Sequence, residues 1–294
     1  MSIYKNEDDF YNFLKTDKAT IENIINNIDC YYKTWVDNKN GKKRRIHDPK
    51  KDLKKVQNII LKEILEKETL PKYMIGGVKG GSTKKNAELH ENKDYLIKQD
   101  IKDFFPSITS GRVFTLFNSL GFSNKISGLL VKLTTRWNEL PQGVCTSTRI
   151  ALLLIRKMGK RFNNLCSEHG FTPSFYCDDI IFSGRKKIKN FNKLFKKIIE
   201  DEGFRVNIGK ERLMSWDNRQ EVNNLVINSG VPSVSREERK IIRAKIHNLS
   251  KNNNVSITQK KSIYGQISYI KYINKAMGEK LLKYYNMKLV NSNK

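Results

Sequence analysis

Ser174-Phe175-Tyr176-Cys177-Asp178-Asp179-Ile180-Ile181-Phe182-Ser183-Gly184 is the stretch on which the fold turns. Two short runs of aromatic and β-branched residues flank a pair of aspartates, the pattern of two strands joined by a tight turn at the acidic pair. Adjacent carboxylates repel, and aspartate is a poor strand former. Taken alone, Asp178-Asp179 is equally well an exposed hairpin turn, where aspartate is common. Burying part of the pair makes sense if a divalent cation neutralises it. A second apolar run, Tyr95-Leu96-Ile97-Lys98-Gln99-Asp100-Ile101, also reads as a strand, and it ends at Asp100. If the two strands are neighbours, three carboxylates meet at one sheet edge. That is the donor set of two-metal phosphoryl transfer, hard oxygen ligands for two magnesium ions.

These carboxylates stand in a strongly basic chain. The 294 residues carry 56 Lys+Arg against 30 Asp+Glu, a net charge of +26. The basic residues run the whole length, so a polyanion lying across a broad surface, nucleic acid above all, is the expected partner. With 38% hydrophobic and 10% aromatic residues the chain can bury a core, which excludes whole-chain disorder. The longest apolar run, Ile150 to Ile155, falls far short of the ~20 residues of a bilayer span. The polar, acidic start Met1 to Asp9 does not resemble a signal peptide. Four cysteines (Cys30, Cys145, Cys166, Cys177) contain no C-x-x-C pair, so neither a disulfide framework nor a zinc site is expected. A cytoplasmic location and no membrane partner are the corresponding expectations.

Hydrophobic spacing predicts helices over residues 7–29, from Leu53 to Ile64, over 111–134, from Ser147 or Thr148 as cap to Met158, and from Ile188 to Ile199. Residues 38–49 read as a turn and a short, heavily basic strand. Gly76-Gly77-Val78-Lys79-Gly80-Gly81 reads as flexible and matches no phosphate-binding fingerprint. Residues 229–294 hold 14 Lys+Arg and 3 Asp+Glu with helical patterning, a small basic helical region. Its tyrosines (Tyr264, Tyr269, Tyr272, Tyr284, Tyr285) are expected mostly in or near the core, with some able to stack on RNA bases.

Asp100-Ile101-Lys102-Asp103-Phe104-Phe105-Pro106-Ser107-Ile108 resembles the first palm motif of reverse transcriptases. Leu140-Pro141-Gln142-Gly143 resembles their template and nucleotide motif, and Tyr176-Cys177-Asp178-Asp179 their Y-x-D-D box. Arg44-x-Ile46-x-x-Pro49, with Leu53 and Gln57 following, resembles the fingers motif of the bacterial members. Asn86-Ala87-Glu88-Leu89-His90 resembles the N-A-x-x-H element of retron enzymes. Where those carry V-T-G, this chain reads Val222-Asn223-Asn224, a departure from the pattern.

The resemblance implies an α+β right-hand polymerase: fingers in 1–95, a palm in 96–228 with an interleaved fingers segment at about 111–140, and a helical basic thumb in 229–294. It implies that Asp100, Asp178 and Asp179, with the Ile101 carbonyl, hold two Mg2+ ions. Arg44 and Lys210 would meet the phosphates, Phe105 would pack under the sugar of a dNTP, and Gln142 and Gly143 would line the pocket. Asn86 and His90 take no assigned role, His90 reading most simply as a hydrogen-bonded structural histidine. The implied function is an RNA-directed DNA polymerase. It would copy a cognate structured noncoding RNA into a branched RNA–DNA molecule, in an anti-phage unit that includes an effector protein. Two other readings remain open at the level of sequence: a phage-exclusion type reverse transcriptase making untemplated DNA, and a non-catalytic RNA-binding scaffold.

Overall fold

The computed structural model describes residues 7–39, 41–249 and 256–292. The first six residues of the polar start, and residues 250–255 and 293–294 of the basic C-terminal region, lie outside the described residues. Its centre is a four-stranded antiparallel sheet of β3 (Tyr95–Asp100), β4 (Thr172–Tyr176), β5 (Asp179–Gly184) and β6 (Arg212–Ser215), in the order β4-β5-β3-β6. The two strands read from the sequence are neighbours, and the register sets Asp100 directly opposite Asp179.

Alternation along the strands gives this sheet two different faces. Ile97, Ile180 and Phe182 belong to the main core. There Phe182 meets Phe162 and Phe195, ring centroids 4.8 and 3.8 Å away, from α8 (Arg156–His169) and α9 (Asn192–Asp201). Leu96 and Ile181 belong to a second cluster. Its other members come from α4 (Thr83–Glu88), the small sheet β7 (Glu221–Val222), β8 (Leu225–Val226) and β9 (Ser233–Val234), and the C-terminal helices. Leu96 and Ile181 lie on the face that also carries Lys98, Asp100 and Asp179. One half of that face is apolar and covered; the other half carries the charges.

The remaining elements frame this sheet. Residues 7–29 form two helices, α1 (Glu7–Phe13) and α2 (Lys18–Asn26), rather than one. Lys15 adopts φ 54°, and the Asp17 carboxylate caps α2 by accepting from the Thr20 N–H at 2.8 Å. A full hairpin, β1 (Tyr32–Lys39) and β2 (Lys42–Pro49), replaces the expected turn and short strand. It is tied down by buried Gln57 of α3 (Lys51–Glu63), whose amide donates to the Tyr32 hydroxyl and to the Leu133 carbonyl. Helices α5 (Ser110–Ser119) and α6 (Asn124–Thr134) follow the predicted span. α7 (Ser147–Leu154) is capped by neither Ser147 nor Thr148: Thr146 is the N-cap, and the Ser147 hydroxyl instead donates to the Pro141 carbonyl at 2.6 Å. Helix resumes at Arg156 as α8 and runs well past Met158, to His169.

The C-terminal helices α10 (Arg236–Leu249), α11 (Ile257–Ile273) and α12 (Lys275–Ser292) bury Ile242, Ile246, Ile263, Ile267 and Ile270 together. Burying each such side chain stabilises the fold by roughly 1.5–3 kcal/mol. Of the five tyrosines expected mainly in the core, Tyr264, Tyr269 and Tyr272 are exposed, because they fall on the α11 face turned away from its isoleucines. No helix among the described residues is long and apolar enough to cross a membrane.

The antiparallel pairing of α11 and α12 depends on Gly278. A Cβ there would lie 2.2 Å from the Lys271 Cα and 2.5 Å from its backbone nitrogen. Alanine normally favours a helix over glycine by about 1 kcal/mol. Here Gly278→Ala is expected to lower stability by about 1–3 kcal/mol through overpacking, read as a fall in urea midpoint at unchanged m-value. A rise in midpoint would contradict the close approach.

Candidate active site

The hairpin that closes β4 and β5 turns at Cys177-Asp178. Asp179 is already the first residue of β5, opposite Tyr176, so the turn is displaced by one residue from the acidic pair. Cys177 takes φ 56°, a left-handed position that a non-glycine side chain fills only under constraint. Part of that constraint is Gly76. The Ile75 and Gly76 N–H groups both donate to the Phe175 carbonyl, at 2.8 and 3.1 Å. A Cβ on Gly76 would lie 2.6 Å from the Cys177 nitrogen and the Tyr176 Cα. The glycine-rich stretch is therefore a packed support under the Cys177-Asp178 turn and not a flexible loop. Gly81, likewise, presses on the Ile75 carbonyl. The sequence did carry the signal, several glycines within six residues, but close packing and flexibility produce the same composition.

Backbone pairing then extends the sheet edge. The Ile101 N–H donates to the Asp178 carbonyl at 3.0 Å, and the Asn207 N–H to the Asp100 carbonyl at 2.7 Å. Asp100, 1% exposed, accepts from the Lys210 ammonium at 2.5 Å and from the Asn207 amide at 3.0 Å. Asp179 accepts from Lys98 at 3.0 Å. Asp178 has no ion-pair partner among the described residues. Burial, reinforced by the Asp100 carboxylate, pushes its carboxyl above the usual range, against the pull of Lys210 and Arg44. Burial pushes Asp179 up as well, and Lys98 only partly offsets this.

With two carboxylates held by lysines, no group of three acidic, histidine or cysteine side chains among the described residues is gathered closely enough to hold a metal ion. The donor set nonetheless fits a hard divalent cation: oxygen ligands, largely buried, and short of positive charge. Asp100, Asp178 and Asp179 would hold it where ammonium groups now offset part of the charge.

Asp100 and Asp178 border a cleft of about 490 Å³ that is also lined by Ile101, Phe105, Gln142, Lys210 and Arg44. Asp179 and Gly143 do not line it. Phe105 is half-buried and packs against Phe104 with the rings tilted, centroids 5.4 Å apart. Lys43 and Arg45 line the cleft together with Arg44, so three cations of β2 share it with the carboxylates. The Leu140–Gly143 loop is bound to β2 from behind. The Gln142 carbonyl accepts from the His47 N–H at 2.8 Å, and Gly143, at φ 103°, leaves no room for a Cβ against the His47 carbonyl. The close approach that glycine permits at 143 is thus to β2.

Asn86 and His90 lie elsewhere, beneath the sheet. His90 is fully buried, its two ring nitrogens each 2.7 Å from a serine hydroxyl, Ser183 on β5 and Ser174 on β4. It ties together the two strands of the β4–β5 hairpin. Burial lowers its pKa to about 3. The Asn86 amide donates to the Asn223 side chain at 2.5 Å. Asn223 and Asn224, at φ 47° and 64°, are the two central residues of the β7–β8 turn. That turn demands two left-handed residues, which asparagine tolerates. The Asn-Asn departure is thus compatible with the local backbone and supplies the partner of Asn86.

Comparison with known proteins agrees with this arrangement. The family model described as reverse transcriptase (RNA-dependent DNA polymerase) matches residues 36–273. The chain is 30% identical over 270 residues to the retron Ec86 reverse transcriptase of Escherichia coli, covering 90% of this chain and 83% of that one. It is 28% identical over 274 residues to the retron Mx65 reverse transcriptase of Myxococcus xanthus, covering 86% and 64%. It is 32% identical over 241 residues to the retron Se72 reverse transcriptase of Salmonella heidelberg, covering 78% and 64%. The chain thus spans just under two thirds of the latter two. Among solved structures, a telomerase from Candida albicans in complex with a telomeric RNA fragment superposes with a TM-score of 0.52 at 13% identity, covering 86% of this chain and 56% of that one; this likeness speaks for the fold alone. The chain belongs to the reverse transcriptase family, with retron reverse transcriptases as its relatives, and has the right-hand polymerase fold of an RNA-directed DNA polymerase.

Two measurements probe this site without assaying catalysis. Because the Asp178 carboxylate is held above its ordinary pKa, its ionised form weakens the metal-free fold at neutral pH. Asp178→Asn is expected to raise the melting temperature in EDTA by roughly 2–5 °C and to abolish the stabilisation by mass action that a bound divalent cation such as Mg2+ would give the wild type. The second concerns His90, lowered to about 3, and His47, lowered to about 4, mainly by burial. Both stay neutral in the fold while the unfolded chain protonates below about pH 6.5. Stability is full above that pH and falls as pH drops from 6.5 toward 4, by up to about 1.4 kcal/mol per pH unit for each histidine. His90→Gln should remove one proton's worth of that slope in urea titrations; an unchanged slope would show His90 protonated in the fold.

Proposed function

We propose that this chain is the polymerase of a retron. It would copy a cognate structured noncoding RNA that serves as both template and primer, and yield a branched RNA–DNA hybrid. We further propose that this product works in anti-phage defence, with an effector protein held in check by it. What carries the catalytic part is one observation: Asp100 and Asp178 border the same cleft as Lys43, Arg44 and Arg45. Carboxylates and cations around some 490 Å³ suit a metal–triphosphate complex.

In this reading Asp100, Asp178 and Asp179, with the Ile101 carbonyl, hold two Mg2+ ions. When bound, these ions lower the pKa of the attacking hydroxyl and offset charge on the leaving pyrophosphate. The protein's own residues do the rest. Arg44 binds the triphosphate, where a guanidinium can pair bidentately with phosphate oxygens. Lys210, paired with Asp100 in this structure, would lie beside the phosphates and could protonate the leaving group. Phe105 packs under the sugar, where a 2′-hydroxyl would strike its ring. Gln142 lines the base side, and Gly143 fixes that loop on β2. His90 and Asn86 hold the hairpin and the β7–β8 turn. The fingers would comprise residues 1–95 with 111–140, the palm 96–228 and the basic helical thumb 229–294, the last reading the RNA by shape and backbone contacts.

The test is expression of the chain with its flanking genomic DNA, followed by isolation of small nucleic acids. DNA covalently joined to RNA is expected with the wild type and absent with Asp178→Asn. DNA without RNA linkage or templated sequence would overturn the retron reading in favour of untemplated synthesis. RNA bound equally by both proteins with no DNA would overturn the polymerase reading. On a primed RNA template in vitro, Phe105→Ala is expected to lower discrimination against ribonucleotides, measured as the ratio of kcat/KM for dNTP and NTP, by about 10- to 100-fold, the scale of a lost steric contact.

A further inference from the structure

Trp137 occupies a backbone position that its side chain disfavours. Arg136-Trp137-Asn138-Glu139 is a two-residue hairpin turn: the Arg136 and Glu139 N–H groups each donate to the other's carbonyl at 2.9 Å. Both central residues are left-handed, φ 51° at Trp137 and 58° at Asn138. Such a turn favours asparagine or glycine at both places, and a bulky ring in the first is an outlier of the kind that gathers at functional sites. Packing does not explain it, since the indole remains 51% exposed.

The surroundings of the ring are unusual as well. The Arg136 guanidinium lies 4.1 Å from the ring centroid and that of Arg45 5.0 Å, while the His47 ring meets it edge-on at 5.3 Å. Arg136 is itself buried and fixed by Asp29 and Thr34, at 2.9 and 2.6 Å. The turn is pinned on its other side, where the Ser110 N–H donates to the Asn138 side chain at 3.3 Å and the Leu140 N–H to the Ile108 carbonyl at 3.0 Å. Arg45 and Glu139 both line the cleft described above, which places this ring at its rim. A rigid, half-exposed aromatic face backed by cations beside a polymerase cleft is a stacking platform for a nucleobase.

We propose that Trp137 stacks an unpaired base of the template strand at the mouth of the cleft, with Arg45 offsetting the adjoining phosphate. This rests on the polymerase reading, in which the cleft takes the incoming nucleotide and the template is the strand that must continue past it. Stacking of this kind tolerates any base, which suits a position every template nucleotide passes through.

The test uses the full chain and an RNA template annealed to a DNA primer. The template overhang carries 2-aminopurine at its first unpaired position; a second duplex carries it at the primer 3′ end, and a third is blunt. Wild type is expected to quench the overhang probe. Trp137→Asn, which gives the turn a residue it prefers, should lose the quenching and bind the overhang duplex about tenfold more weakly, the loss of one base–aromatic stack. Its affinity for the blunt duplex should be unchanged and its melting temperature equal or higher. Trp137→Phe should retain most of the quenching and affinity. Overhang quenching and affinity undiminished in Trp137→Asn would overturn the proposal, as would Trp137-dependent quenching confined to the primer-end probe. These are binding measurements, so primer extension by the wild type, run in parallel, tests the polymerase reading separately.

Discussion

The pairing of Asp100 with Asp179 across β3 and β5 is the constraint on which the rest depends. It concentrates carboxylates at the edge of a sheet that is otherwise apolar, where each charge is costly to bury. The surrounding structure is organised to bear that cost. Lys210, from the short turn Ile208–Lys210 before β6, and Lys98, from β3, reach in to offset two of the carboxylates. Gly76 presses on the turn, and His90 bridges the two strands from within. Remove the charged edge, and Lys98, a cation on a sheet face with Leu96 as its neighbour, has no evident reason to be there.

That same face explains how a small sheet serves two purposes. Towards the Leu96 and Ile181 end it is sealed by α4, the β7–β9 sheet and the C-terminal helices. Towards the Asp100 end it opens on the cleft. The far face, packed on Phe162 and Phe195, is largely apolar, with buried Gln99, which donates to the Asn192 side chain, as a polar exception. Placement of the aspartates therefore depends on both cores at once, and the basic hairpin β1–β2 completes the cleft only because the Gln142–Gly143 loop is bound to it.

Much of this was legible in the sequence, and the reasons are specific. Strand alternation around Asp178 and Asp179 and the apolar run ending at Asp100 gave the strands, because period-two patterning survives without tertiary information. The neighbouring of those strands could only be conditional, since pairing of distant segments leaves no local trace. Arg44, Phe105, Gln142 and Lys210 were found through ordered motifs, and they do share one cleft. Lys98 and Gly76 were missed. A lysine inside a strand looks like any surface charge, and a packed glycine looks like a hinge. Ser147 was taken for a helix cap because its hydroxyl precedes an apolar run; the Pro141 carbonyl, six residues back, competed for it and won. The link from Asn86 to Asn223 spans more than a hundred residues and had no signature beyond the two short motifs themselves.

The second apolar cluster has a kinetic meaning. Leu96 and Ile181 from the central sheet share their burial with Ile242, Ile263 and Ile267 from the last third of the chain. During synthesis β3 and β5 emerge first, and one face of the sheet stays uncovered until α10 and α11 have left the ribosome. The aspartates are thus set in a sheet whose burial is completed only by segments that follow it in the chain. A nascent chain interrupted before α10 would expose a greasy strand face beside a cluster of carboxylates, a surface suited to chaperone capture.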